Sequence, residues 1–202
     1  MPEMSKREQV IDFIREHSVV RPRDLKDVGL PKDYLYQLAQ EGIIERVGRG
    51  LYQWPDRDLG RHQSLVELSK LAPKAVVALL SALNFYDLTT QNPFKVWLAI
   101  DRKGWRPEIS YPPVRYITMS GKALHEGVEI HMINGVPVKV FCPAKTVADC
   151  FKYRNKIGLD VALEALQEGW SARKFTMDEL LCYAEICRVK KVMQPYLESL
   201  VK

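Results

Sequence analysis

The order of patterns in the first 54 residues constrains this chain most: three short helical patterns, then a two-stranded hairpin turning at Gly48-Arg49-Gly50. Residues 5–17, SKREQVIDFIREH, place Val10, Ile11, Phe13 and Ile14 at helical spacing. Ser5 followed by Glu8 is a capping-box signature. A second pattern at 22–28 opens on Pro22 and stops before Gly29. A third runs over 31–41 and ends at Gly42. β-prone runs at 43–47 and 51–54 flank the turn, where glycine supplies positive φ without steric cost. Three helices and then a hairpin is the order of a winged helix-turn-helix.

The polar, turn-rich stretch 55–60, PDRDLG, predicts a linker. Beyond it, residues 64–72 and 73–88 carry apolar side chains at i, i+3 and i+4 and predict helices. Residues 95–101, KVWLAID, predict a buried strand, and 114–119, 127–133 and 136–141 predict three more. Helical patterning returns over 143–156, 159–169, 176–189 and 193–202. The expected fold class is α+β, with a winged helix over 1–56 and a larger mixed domain over 61–202.

Of 202 residues, 47% are hydrophobic, enough for a buried core. The longest apolar run, near 75–83, is too short for a membrane span. The N-terminus MPEMSKREQV lacks the apolar segment and cleavage pattern of a signal peptide, so the expected location is the cytoplasm. Cys142, Cys150, Cys182 and Cys187 form no CxxC pair, and the four histidines are scattered. Small buried thiols, and neither metal nor cofactor, are expected. The net charge of +5 suits a polyanionic partner. Its distribution is uneven: residues 1–60 hold 10 Lys+Arg against 11 Asp+Glu, and the remainder holds 20 against 14.

In a helix-turn-helix the second helix of the pair enters the major groove. Here Leu35, Leu38 and Ala39 should face the core, leaving Lys32, Asp33, Tyr36, Gln37 and Gln40 outward, with Tyr34 at the boundary. Gln pairs with adenine, and Lys reaches guanine or phosphate. Arg49 at the wing tip would lie over phosphates or in the minor groove, with Arg46 adding a phosphate contact. Arg21 and Arg23 would hold the flanking backbone. In the second part, Lys139, Lys145, Lys152, Arg154 and Lys156 are opposed only by Asp149 within 139–156, and could hold flanking phosphates.

The run from Glu8 to Trp54, ending in RVGRGLYQW, resembles the winged-helix part of AbiEi-type antitoxins. The segments ALLSALNFYDLTTQNPFKVWLAID (78–101) and VPVKVFCPAKTVADCFKYRNKIGLDVALEAL (136–166) are similar to later parts of that family, the second with its Thr-x-x-Asp element at Thr146 and Asp149. The resemblance implies a repressor of phage-defence or toxin–antitoxin loci. Such a protein binds double-stranded DNA at its own promoter. It also counteracts a nucleotidyltransferase-like toxin, commonly without a stable complex, through its C-terminal domain. One winged helix reads too few base pairs for tight specificity, so two copies on an inverted repeat are expected. Read from the residues alone, Thr146 is a helix-start residue and Asp149 a surface acid.

Two other readings compete. Asp87 and Asp101-Arg102-Lys103 fit the loose spacing of a metal-dependent nuclease, although Arg-Lys-Gly after Asp101 reads as a turn. A winged helix that contacts only protein would suit the near-neutral residues 1–60. No phosphate-binding glycine loop or nucleophile elbow is present, so a non-enzymatic regulator is expected.

Overall fold

A computed structural model describes residues 4–17, 19–55 and 60–200. It is α+β, with an N-terminal winged helix-turn-helix followed by a larger mixed part. The chain divides into two compact units, Met1–Pro73 with Met132–Val138, and Lys74–His131 with Lys139–Lys202. The linker expected at 55–60 falls mainly on 56–59, outside the described residues.

The first unit opens with α1 (Lys6–Glu16), α2 (Pro22–Asp27) and α3 (Asp33–Gln40). Ser5 and Glu8 form the expected capping box: the Ser5 amide donates to Glu8 Oε2 at 2.8 Å, and the Glu8 amide donates to Ser5 Oγ at 3.3 Å. Gly29 and Gly42 follow α2 and α3 at φ +74° and +72°, ending each helix in the left-handed region. Strands β1 (Glu45–Gly48) and β2 (Leu51–Gln53) pair antiparallel as the wing. Val20 adds a short third rung by exchanging two backbone hydrogen bonds with Tyr52, at 2.8 and 2.9 Å. One residue of pairing is too little to leave a strand pattern in the sequence.

Val10, Ile14, Val20, Leu25, Leu35, Leu38, Ile44 and Tyr52 form the core of this unit. Tyr34 packs against it half-buried, which resolves its boundary position. Helix α4 (Gln63–Leu71) completes the chain of the unit up to Pro73.

The second unit departs from the sequence reading at its start. Residues 73–88 are not one helix: β3 (Val76–Val77) precedes α5 (Leu79–Phe85). Two adjacent β-branched residues, both buried, favour a pleated strand there. The short strand is central to the sheet, which has the order β5-β4-β3-β7-β6. Its other strands are β4 (Val96–Asp101), β5 (Val114–Met119), β6 (Val128–Ile133) and β7 (Val136–Phe141), with a single helical turn α6 (Lys122–His125) between β5 and β6. Strand β3 runs antiparallel to β4 and parallel to β7, while β4 and β5 are parallel over six register pairs.

Helices α7 (Pro143–Lys152), α8 (Arg154–Ile157), α9 (Leu159–Ser171), α10 (Met177–Ile186) and α11 (Lys190–Leu200) follow. The pattern over 143–156 is therefore two helices meeting at Tyr153. Helix α7 is the hub of this unit, since it packs on α5, α9 and α10. Residues 144–151 of it are all buried. Phe141, Val147, Phe151, Leu166, Leu180 and Met193 belong to the same core.

Candidate nucleic-acid interface

Helix α3 is amphipathic in the required sense. Leu35 and Leu38 are buried, whereas Lys32, Asp33, Tyr36, Gln37 and Gln40 are exposed. Gln40 Nε2 donates to Tyr36 Oη at 2.8 Å, one turn away, which holds the two side chains as a pair. The Tyr36 ring is 60% exposed, unusual for an aromatic side chain with a core beside it. At the end of the helix, Glu41 forms an ion pair with Arg7 of α1.

Arg49 is exposed at the tip of the wing. Of its two flanking glycines, only Gly50 (φ +69°) occupies the left-handed region. A side chain on Gly48 would meet Leu51 Cδ1 at 3.4 Å, an ordinary contact, so Gly48 is not there for backbone freedom. Arg46 is exposed, but its Nε donates to the Gly48 carbonyl at 3.2 Å, so the side chain folds back along the wing. Arg15 of α1 stacks 4.6 Å over the Trp54 ring, bracing the base of β2.

The two arginines expected at the flanking backbone separate. Arg23 is exposed. Arg21 is not: it is half-buried, pairs with Asp24 at 2.8 Å, and donates to the Lys70 carbonyl. Lys70 Nζ also reaches Asp24, at 2.7 Å. Burial works against the Asp24 carboxylate, yet the hydrogen bonds from Arg21 and Lys70 together prevail and hold its pKa below the ordinary range. Arg21 therefore joins α2 to α4. The Arg21–Asp24 spacing was visible in the sequence, but Lys70, 46 residues on from Asp24, was not.

The basic set of the second part needs correction. Lys145 is fully buried and forms an ion pair with Asp149, also buried. Its ammonium lies 4.1 Å from the Phe141 ring centroid. The helix places it on the core side, so Lys145 has no phosphate to meet. Asp149 is likewise no surface acid. Burial raises its pKa while Lys145 pulls the other way, and the Cys187 thiol donates to Asp149 Oδ1 at 3.1 Å. Burial and the Asp149 charge push the Cys187 thiol up to about 12, so it remains a proton donor. Thr146 Oγ1 donates to the Phe141 carbonyl at 3.0 Å, tying the start of α7 to the end of β7.

Lys152 and Lys156 are exposed, with Lys156 Nζ lying 5.5 Å from the Tyr153 ring. Arg154 is half-buried and donates to the Phe151 carbonyl at 2.9 Å, capping the end of α7. Of the expected phosphate-holding group, Lys152 and Lys156 are the exposed members, while Lys139 is half-buried on β7. The thiols also differ from expectation: Cys150 and Cys187 are buried, Cys142 is half-buried, and Cys182 is exposed.

Of the residues of the nuclease reading, Asp101 has a local duty. Asp101 Oδ1 accepts from the Lys103 amide at 2.7 Å, which closes the turn after β4. Asp87 is exposed beyond α5 at φ +59°. Among the described residues, no group of three or more His, Cys, Asp or Glu side chains is placed to hold a metal ion. Among those residues, too, no helix is long and apolar enough to cross a membrane.

The matched family covers the same segment that builds this geometry. Residues 8–55 match the family described as "Transcriptional regulator, AbiEi antitoxin". Over this segment the chain is similar to the AbiEi family. It runs from within α1 to just past β2, and so takes in α3, the wing, and Arg15, Arg21, Arg23, Arg46 and Arg49. A search of curated proteins found no match. The AbiEi family is one of regulators rather than enzymes.

Proposed function

We propose that this protein is a DNA-binding transcriptional repressor and antitoxin. It represses the operon that encodes it and counteracts a nucleotidyltransferase-like toxin from the same operon, as part of phage defence. The observation that carries the reading is the coincidence of the AbiEi segment with an exposed α3 face and an arginine at the wing tip. Helix α3 enters the major groove, where Gln37 and Lys32 reach base edges and Tyr36 with Gln40 approaches the backbone. Asp33, at the start of the helix, selects against misplaced phosphates by repulsion. Arg49, Arg46 and Arg23 hold phosphates.

One winged helix contacts few base pairs, so two copies bind an inverted repeat in the cytoplasm. Residues 1–56 read sequence, and the 61–202 part supplies the antitoxin activity and, through Lys152 and Lys156, further phosphate contacts. Counteraction of the toxin does not need a stable complex. The test is titration of the upstream promoter fragment at several salt concentrations, paired with co-expression of the neighbouring toxin gene. Steep loss of affinity between about 50 and 200 mM salt is expected, because phosphate neutralisation releases counterions. Equal affinity for unrelated duplexes would refute the operator reading, and unrelieved toxicity would refute the antitoxin reading.

A further inference from the structure

We propose that the β4–β5 edge of the second unit is a track for single-stranded nucleic acid, in which exposed aromatic rings stack on unpaired bases. The three most exposed large hydrophobic side chains among the described residues are all aromatic and all lie here. They are Phe94 at 85%, Trp105 at 79% and Tyr111 at 69%. Aromatic rings are ordinarily among the most buried side chains, so three of them in solvent within 18 residues need a partner.

The sheet sets their spacing. Val96 of β4 is in register with Val114 of β5, and the Val96 amide donates to the Pro113 carbonyl at 2.9 Å. Phe94 and Tyr111 therefore sit at the same end of adjacent parallel strands. The connection from β4 to β5 must return along the sheet, because the strands are parallel. It does so beside β5: Tyr116 Oη donates to the Pro107 carbonyl at 3.0 Å, and the Arg106 guanidinium stacks 4.9 Å from the Tyr116 ring centroid. Trp105 follows Gly104, whose amide donates to the carbonyl of Asp101 at the far end of β4, and precedes Arg106 beside Tyr116, so it lies between the middle and the far end of the strands. At a rise of about 3.3 Å per residue, it is on the order of 20 Å from the Tyr111 end, room for a few nucleotides.

The charge along this edge is complementary to phosphate. Lys95, Arg102, Lys103, Arg106 and Arg115 are exposed. Against them stand Glu108 and Asp101, the latter engaged in its own turn. Arg106 is held against the Tyr116 ring and loses little freedom on binding, whereas Arg115, one residue before Tyr116 in β5, stacks 4.4 Å over the Trp97 ring on the other face of the sheet.

A single strand fits this surface better than the alternatives. Stacking needs bases that are not already stacked in a duplex. A protein partner would favour aromatic residues grouped in one dry patch with lysine depleted, whereas here the rings are spread along an edge interspersed with lysines. The track does not depend on the winged helix, and its test is separable from that of promoter binding.

The experiment is fluorescence anisotropy of labelled 15-nucleotide oligo-U and oligo-dT titrated with the full-length protein. Salt-sensitive binding is expected. Trp105→Ala, and Phe94→Ala with Tyr111→Ala, should each weaken it by about 5- to 100-fold, while Trp105→Phe retains most of it. Arg49→Ala should leave oligonucleotide binding intact, and Trp105→Ala should bind the promoter duplex normally. Absence of oligonucleotide binding, or binding indifferent to Trp105→Ala, overturns the proposal. So does a Trp105→Ala protein that keeps oligonucleotide binding but no longer protects cells from the toxin, since the edge would then be a protein surface. Circular dichroism establishes that each variant is folded.

Discussion

Lys145 and Asp149 face each other one helical turn apart on α7 as an ion pair with neither side chain reaching solvent. Cys187, at the end of α10, donates to the same carboxylate, so α7 and α10 are joined through a single buried charge. Removing one partner leaves the other charged and buried. Lys145→Met or Asp149→Leu alone should cost about 3–5 kcal/mol in urea unfolding. The double variant should lie much closer to wild type, because two apolar side chains need no compensation. A single variant within about 1 kcal/mol of wild type would show that the pair is not what holds these helices.

Asp24 predicts a pH dependence. Its folded pKa is depressed, so the stability it contributes is complete above its unfolded value of about 3.9 and is lost as pH falls through the lower folded value. Asp24→Asn should therefore destabilise the protein near neutral pH by about 1.5–3 kcal/mol, the strength of hydrogen bonds to a charged group. The difference from wild type should shrink steadily below about pH 4. Urea denaturation of the two proteins from pH 2 to 6 measures this; a difference that stayed constant with pH would remove Asp24 as its source.

Arg21 and Arg23 stand two residues apart yet should behave differently. Arg23→Ala should reduce the slope of log affinity against log salt by about 1, as expected for one lost phosphate contact. Arg21→Ala should lower stability instead and leave that slope unchanged, because its guanidinium is committed to Asp24 and the Lys70 carbonyl. Reversed outcomes would mean that the α2–α4 bridge opens on DNA.

Gln37 and Arg49 separate reading from anchoring. Gln37→Ala should cost about 1–3 kcal/mol at the operator and relax sequence preference there. Arg49→Ala should weaken operator and unrelated duplex alike, since phosphate carries no sequence. Both side chains are exposed, so neither change should alter the circular dichroism spectrum. Competition binding against scrambled duplex distinguishes them, and negligible effects from both would remove α3 and the wing from the interface.

What the sequence determined by itself was the part of the fold written in short-range chemistry. The Ser5–Glu8 capping box, the glycine stops after α2 and α3, and the Gly50 turn depend on neighbours three or four residues away, so they were legible without a structure. The outward face of α3 was legible too, because a helix of known phase divides its own residues between core and solvent. Tertiary structure decided what depends on distant segments. Val76 and Val77 continue a helical pattern in the chain, but become the central strand because β4 and β7 flank them. Lys145 reads as one cation among five, and only the packing of α5, α9 and α10 around α7 removes it from solvent. Arg21 lost its place at the interface to Lys70, far along the chain. Burial and ion pairing are set by what arrives from elsewhere in the chain, and no local pattern encodes that arrival.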